Sequence, residues 1–500
     1  MSARQMTYFL FAFLSPLFGS LPAKCGPEPA ASAIINYPSP DKETLSSDYT
    51  ITSCGEDVPV YALLKADSPK PFYSFAYFDY DGKTDIIVKI RSSKPLGNLK
   101  VYPKNLNLNY KINGYTVEFA ISKACKFTVE PDGRNAPLHV FINPFEKETV
   151  DKNDRKVKYF GPGIHRPEGG RIVLNSDETL YVAGGAILKA SISCVNSSNV
   201  RISGRGIIDG SDWPHGRGPS PHLMNVNGKD ITIDGVIIRG SWSWTIVPRS
   251  CDRVTISNVK ILCGRVHNDD GIDPVNSRDI NITDCFIRTS DDGIAIKGYD
   301  RENGPCERIS VTKCQLYMDG SRAFLIGHES AAAAMRDITY SDIDIIHYAS
   351  WIFLIEPNNE CVVENITAGD IRINGIVAPG DEEIPWVIPH KHKFCQIRPG
   401  GPFANIDKSE FKGRAANVRN VVFKNISMDL DAGRKVFIGL NGVDDKHLVG
   451  NVIFDNFTVN GKKITMDDLT IAKYYFMVDG KQIINNAEDV NYVRNVSVKY

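Results

Sequence analysis

The chain has 500 residues, 58 basic and 59 acidic, so its net charge is close to zero. That balance excludes recognition of nucleic acid or of an anionic partner by bulk charge, and the length exceeds what one ordinary core requires. Forty glycines, many Asn-Gly and Asp-Gly corners and few amphipathic helical stretches predict an all-β protein.

The first 14 residues place Arg4 ahead of a short apolar run, too short to span a bilayer. Residues 1–23 are therefore expected to be a secretory signal, with the protein secreted into an extracellular or periplasmic space. No later window is apolar enough to predict a membrane span. Eleven cysteines, from Cys25 to Cys395, suit an exported chain with one or more disulfides and an odd thiol. Their spacing is wrong for zinc, since no C-x-x-C occurs. Six N-x-S/T sequons, Asn365-Ile-Thr and Asn456-Phe-Thr among them, read as corner-and-strand repeats rather than glycan sites.

Between residues 34 and 148, short alternating runs such as Asp85–Ile90, Thr116–Phe119 and Leu138–Ile142 are separated by Asp81-Gly82 and Asn113-Gly114. Several such strands in about a hundred residues predict an N-terminal β-sandwich, most simply a packing module that caps the C-terminal domain. The charged stretch from Glu146 to Lys156 reads as the linker.

From residue 158 to 500 the sequence repeats. Asn199, Asp230, Arg253, Asp279, Arg308, Asp337, Asn420 and Asn451 each open the same pattern of polar corner, apolar, small polar, apolar; through the middle, copies lie 23 to 31 residues apart. A period of this size in strands without helices predicts a right-handed parallel β-helix, a solenoid with an aliphatic interior and a long outer groove.

Two acidic knots, Asn268-Asp269-Asp270-Gly271 and Ser290-Asp291-Asp292-Gly293, fall about one repeat apart. Stacked coils would bring their carboxyls to one face, about 4.8 Å from rung to rung. Inverting cleavage of a glycosidic bond needs a protonated carboxyl and an ionised one roughly 6.5–9.5 Å apart, with a water between. Crowded carboxylates repel, which favours retaining one proton near neutrality. Asp291 is assigned as general acid, with Asp270 and Asp292 as bases sharing the water. Asp273 and Asp279 read as turn residues.

Gly204-Arg-Gly-Ile-Ile-Asp-Gly210, Ser241-Trp-Ser-Trp-Thr-Ile-Val-Pro248 and the two knots resemble, in order and spacing, the signature blocks of polygalacturonase-type glycoside hydrolases. The resemblance covers roughly residues 160 to 345 and implies a β-helical, inverting hydrolase in which Asp270 matches the family's N-T-D block and Asp291 and Asp292 its D-D block. The chain departs from that pattern further on. Arg322 stands where the family has the histidine of a G-H-G block, and Trp351 to Pro357, including Glu356, replaces an R-I-K block that grips a galacturonate carboxylate. A neutral sugar then fits better, with Trp242, Trp244 or Trp351 as stacking faces.

An N-terminal sandwich, Tyr159-Phe-Gly-Pro-Gly-Ile-His165 and Asn456-Phe-Thr-Val-Asn-Gly461 also resemble the dextranase and isopullulanase family. Together these readings predict hydrolysis of an α-linked polysaccharide, favouring a dextran-like glucan, by a monomer without a cofactor or metal. Trp244, His267, Asn268, Lys297, Arg322, His328 and Glu356 are the expected substrate-binding residues, and His390 and His392 are further candidates. The alternatives are a galacturonan or algal-glycan hydrolase, a non-catalytic glycan binder of the tailspike sort, and a calcium-dependent lyase with Lys297 or Arg322 as its base.

Overall fold

The computed structural model describes residues 32–65, 71–148, 150–374, 391–399, 416–430, 435–442, 445–471, 475–478, 481–484 and 492–500. The expected signal segment and Cys25, His390 and the His392 side chain lie outside the described residues. Among those described there is no α-helix, only strands and three short 3-10 turns, and no helix long and apolar enough to cross a membrane.

Residues 34–144 form two sheets. One has six strands, among them Pro71–Tyr80, Cys125–Arg134 and Leu138–Pro144; the other has five, centred on Ile86–Ser92 and Thr116–Ile121. Alternation puts Val88, Ile90, Val117 and Phe119 of the second sheet against Phe78, Phe127, Val129 and Val140 of the first, giving the shared core of a sandwich.

From Val157–Phe160 onward, parallel strands pair with the next turn of the chain in register, for example Ile231 with Val254, Val254 with Ile280 and Ile280 with Ile309. This is the right-handed β-helix the repeat predicts. All eight corner residues of the repeat, from Asn199 to Asn451, have φ between +52° and +60°. Left-handed backbone is tolerated best by Asn and Asp, whose short side chains bond locally. They also bond along the stack: Asn365 Nδ2 donates to Asp337 Oδ1 (2.9 Å), Asn420 to Asn365 (3.0 Å) and Asn451 to Asn420 (2.9 Å). Asn456 donates likewise to Asn425 at 2.9 Å. The amides of these two sequons, Asn365 and Asn456, are thus structural.

Two expectations need correction. All ten described cysteines are free thiols, and Cys285 and Cys314 face each other on successive rungs without a disulfide. Most occupy interior ladder positions, where a thiol serves as a small apolar side chain. The sandwich, moreover, does not cap the coil. Tyr61, Tyr73, Phe75, Tyr77 and Phe141 pack along its flank against one column of short strands: Ile187, Ile207, Ile237, Leu262, Phe286, Tyr317 and Ile346. The six-stranded sheet is apolar on both faces, so it buries one in the sandwich and the other on the coil.

Candidate active site

The two knots sit on neighbouring rungs, and the bridges Ile246–Ile272 and Ile272–Ile294 fix their register. The Gly271 amide donates to the Asp292 carbonyl (2.9 Å), and the Gly293 amide to that of Arg322 (2.9 Å). Continuing the register gives one column of Trp244, Asp270, Asp292, Arg322 and Trp351 on consecutive turns. Asp291 precedes Asp292 on the same turn. All three predicted acids are therefore brought together.

Each acid has its own surroundings. Asp270 Oδ2 lies 3.0 Å from Lys297 Nζ, and the same ammonium reaches Asp273 Oδ1 at 3.1 Å and Glu329 at 4.0 Å. Asp292 Oδ1 accepts from Ser321 Oγ (3.0 Å) and the Arg322 amide (3.3 Å), and Oδ2 accepts from Arg322 Nη2 (3.0 Å). Arg322 Nε is also close to Oδ1, at 2.8 Å, but without hydrogen-bond alignment. Asp291 is half-buried, and its Oδ2 accepts from Asn268 Nδ2 at 3.3 Å.

Two of the three acids are almost wholly covered. Asp270 and Asp292 are each 2% exposed, and water meets the site at Asp291 and at exposed Asn268 and His267, whose ring lies edge-on to His215 at 6.1 Å. Burial pushes Asp270 well above the usual carboxylate range, with Asp273 adding to it and Lys297 opposing. Asp273 is pushed up to about 7, chiefly by burial, and burial raises Asp292 against the pull of Arg322. Four carboxyls, Asp270, Asp273, Asp291 and Asp292, thus share two cations, Lys297 and Arg322. Burial and mutual repulsion thus favour a proton shared among the four carboxyls.

Sequence reasoning missed Asp273, which is wholly buried against Lys297 rather than closing a turn. Its signal was the alternation of Gly271-Ile272-Asp273: with Ile272 inside, Asp273 projects onto the groove face. Asp269 was also passed over. Its carboxylate accepts from the amides of Gly264 (2.5 Å), Ser290 (2.8 Å) and Asp291 (3.1 Å), tying the two knots together. Asp279 is a corner residue as expected, with φ +55° and Arg308 bonded at 2.7 Å and 2.8 Å.

The remaining expected residues divide. Trp244 is half-buried and engaged by protein groups, since His222 stacks on it at 4.8 Å and Lys297 Nζ lies 3.4 Å from its centroid. Trp242 is fully buried in the core, and half-buried Trp351 lies against Phe437. Glu356, also fully buried, is held by Arg398 at 2.6 Å and 2.7 Å, with His328 Nε2 3.5 Å from its other oxygen. The bare repulsive charge expected there is therefore matched by a guanidinium. Burial and nearby Arg322 and Arg398 hold His328 well below its ordinary range, so it is neutral. No cluster of metal-ligand type occurs among the described residues.

A curated protein from Vitis vinifera, "Probable polygalacturonase", is 28% identical over 173 residues, covering 31% of this chain and 35% of that one. The chain therefore spans about a third of the length of the curated relative it matches. Among solved structures, Dex49A from Penicillium minioluteum superposes with a TM-score of 0.54 at 14% identity, covering 87% of this chain and 92% of that one, a likeness of fold. A family 28 exopolygalacturonase from Yersinia enterocolitica gives 0.45 at 13% identity, over 84% and 97%. Residues 169–320, which contain Asp270, Asp291, Asp292 and Lys297, match Glycosyl hydrolases family 28, and that segment lies within the parallel β-helix.

Proposed function

We propose that the chain is a glycoside hydrolase that cleaves an α-linked polysaccharide with inversion. The observation that carries this is the meeting of Asp270, Asp291 and Asp292 on two adjacent rungs in unlike surroundings. Asp291, at the edge that meets water, donates a proton to the leaving oxygen. Asp270 and Asp292 hold a water on the opposite face of the sugar and remove its proton as it attacks the anomeric carbon. A buried base of raised pKa is the stronger proton acceptor once ionised. The lyase reading fits less well, because the neighbouring carboxylates of Asp273 and Asp270 outweigh burial, raise Lys297 above its ordinary value and keep it a charged ammonium, unable to abstract a proton.

A neutral glycan is the favoured substrate. Lys297, Arg322 and Arg398 each lie against a carboxylate, which leaves no surplus positive charge among them to grip a uronate. Galacturonan is the second reading, favoured by the name of the Vitis vinifera relative. A polysaccharide substrate is consistent with export, directed by residues 1–23. Reducing-end release from α-glucans, pectins and algal galactans, with the product anomer followed by proton NMR, tests the proposal. Tight binding without cleavage of any of them would favour a glycan binder instead.

A further inference from the structure

The sandwich does more than cover the flank of the coil. Three consecutive turns each pass through a residue gripped by the sandwich just before they deliver a group of the site. On the first, fully buried Tyr73 donates its hydroxyl to the Cys263 carbonyl at 2.7 Å. Next in the chain, the Gly264 amide donates to Asp269, the residue that also holds the Ser290 and Asp291 amides. Gly264 has φ +100°, and a Cβ there would come within 2.9 Å of Phe72 Cε1 and 3.1 Å of Asp319 Oδ2. Only glycine fits between the sandwich and the knot.

On the second turn, the Arg288 guanidinium lies 3.8 Å from the Tyr73 ring centroid and 4.7 Å from that of Phe72, with Tyr317 of the coil at 4.2 Å. Its Nη1 is 2.9 Å from His139 Nε2, whose ring is bonded through Nδ1 to Thr128 at 2.8 Å. Burial and Arg288 keep His139 neutral, so Nε2 accepts from the guanidinium and Nδ1–H donates to the threonine. Asp291 follows Arg288 by three residues, and the intervening Thr289 hydroxyl donates to the Asp291 carbonyl at 2.8 Å.

On the third turn, Asp319 accepts from Arg288 (2.7 Å and 3.0 Å) and from Arg134 of the sandwich (3.0 Å). Two and three residues later come Ser321 and Arg322, the partners of Asp292.

We propose that the N-terminal sandwich is a positioning element of the active site, in which Tyr73 and Arg134 set the placement of Asp270, Asp291 and Asp292 by fixing the starts of the turns that carry them. This rests on the hydrolase reading for its catalytic consequence, though not for its structural one. Lys126–Asp284, a pair at 2.6 Å across the same interface, sits at the opposite end of strand Phe286–Thr289 from the second knot, four residues before Arg288, and serves as the control.

The test compares Tyr73→Phe, Arg134→Met and Lys126→Met with the wild type, by steady-state kinetics on whichever glycan is cleaved and by peptide-level hydrogen exchange. Tyr73→Phe removes one oxygen and leaves the ring on Arg288, so the fold is kept. Tyr73→Phe and Arg134→Met are expected to lower kcat about tenfold with KM within about twofold, because a small misplacement of a reacting group acts on the chemical step. Exchange at residues 264–271 and 289–293 should quicken. Lys126→Met should change neither. Wild-type kcat and unchanged exchange in Tyr73→Phe would overturn the proposal, as would equal effects in Lys126→Met. If the wild type cleaves no glycan, the hydrolase reading fails while exchange at the two knots still decides whether the sandwich braces them.

Discussion

Lys297 and Asp270 form an ion pair across one rung of the coil, 3.0 Å apart with 4% of each side chain exposed. Asp273 shares the same ammonium at 3.1 Å, and the Trp244 ring lies against it. One cation between two buried carboxyls fixes their geometry while leaving them short of positive charge. That shortage keeps a proton in the site.

Removing the cation should be costly. Lys297→Met leaves Asp270 and Asp273 buried without their partner, a change that typically destabilises by about 3–5 kcal/mol. Chemical denaturation is expected to show a lowered midpoint with an unchanged slope. In the surviving fold Asp270 is harder to ionise, so the acid limb of the kcat/KM profile should move to higher pH.

Asp273→Asn should act in the opposite direction. The substitution removes a like charge beside Asp270 and leaves Lys297 to Asp270 alone, so the Asp270 carboxylate is favoured. The acid limb of kcat/KM is expected to move to lower pH. Stability reports the same group. Asp273 is raised from 3.8 to about 7, so the folded state holds a proton that the unfolded state releases, and stability falls as pH rises through that window. Asp273→Asn should flatten that fall in thermal unfolding between those pH values; an unchanged slope would mean that the proton resides elsewhere.

Asp291→Asn is expected to keep the fold and glycan binding and to lose at least about a hundredfold in kcat, the lower end for a general acid. Single-turnover assays beside circular dichroism check both halves. Substrates whose leaving group needs no protonation should be much less affected.

Much of this arrangement was written in the sequence. The polar corners from Asn199 to Asn451 announced the coil because left-handed backbone restricts which residues stand there. The Asp-Gly knots announced the site because their spacing equals one turn. Contacts between distant segments were not legible. Arg398 meets Glu356 from 42 residues downstream, and Tyr73 reaches Cys263 from 190 residues upstream. The thiols misled for a related reason: cysteine count suggests a compartment, whereas Cys285 and Cys314 are placed by the interior ladder. Asp273 was hidden by the ambiguity of Asp after Gly-Ile, which suits both a turn and a groove-facing strand position.

The Glu356–Arg398 pair offers a separate check on the rung beyond Arg322. Glu356 is wholly buried, and Arg398 donates to it from Nε at 2.7 Å, while burial pushes its carboxyl up. Arg398→Met strands that carboxyl and should destabilise by about 3–5 kcal/mol, whereas the double variant Glu356→Gln with Arg398→Met should recover much of the loss, because the remaining amide carries no charge. A double-mutant cycle in urea measures the coupling. Additive losses would show that the pair contributes nothing beyond its separate packing, and that this rung is held by its aliphatic interior alone.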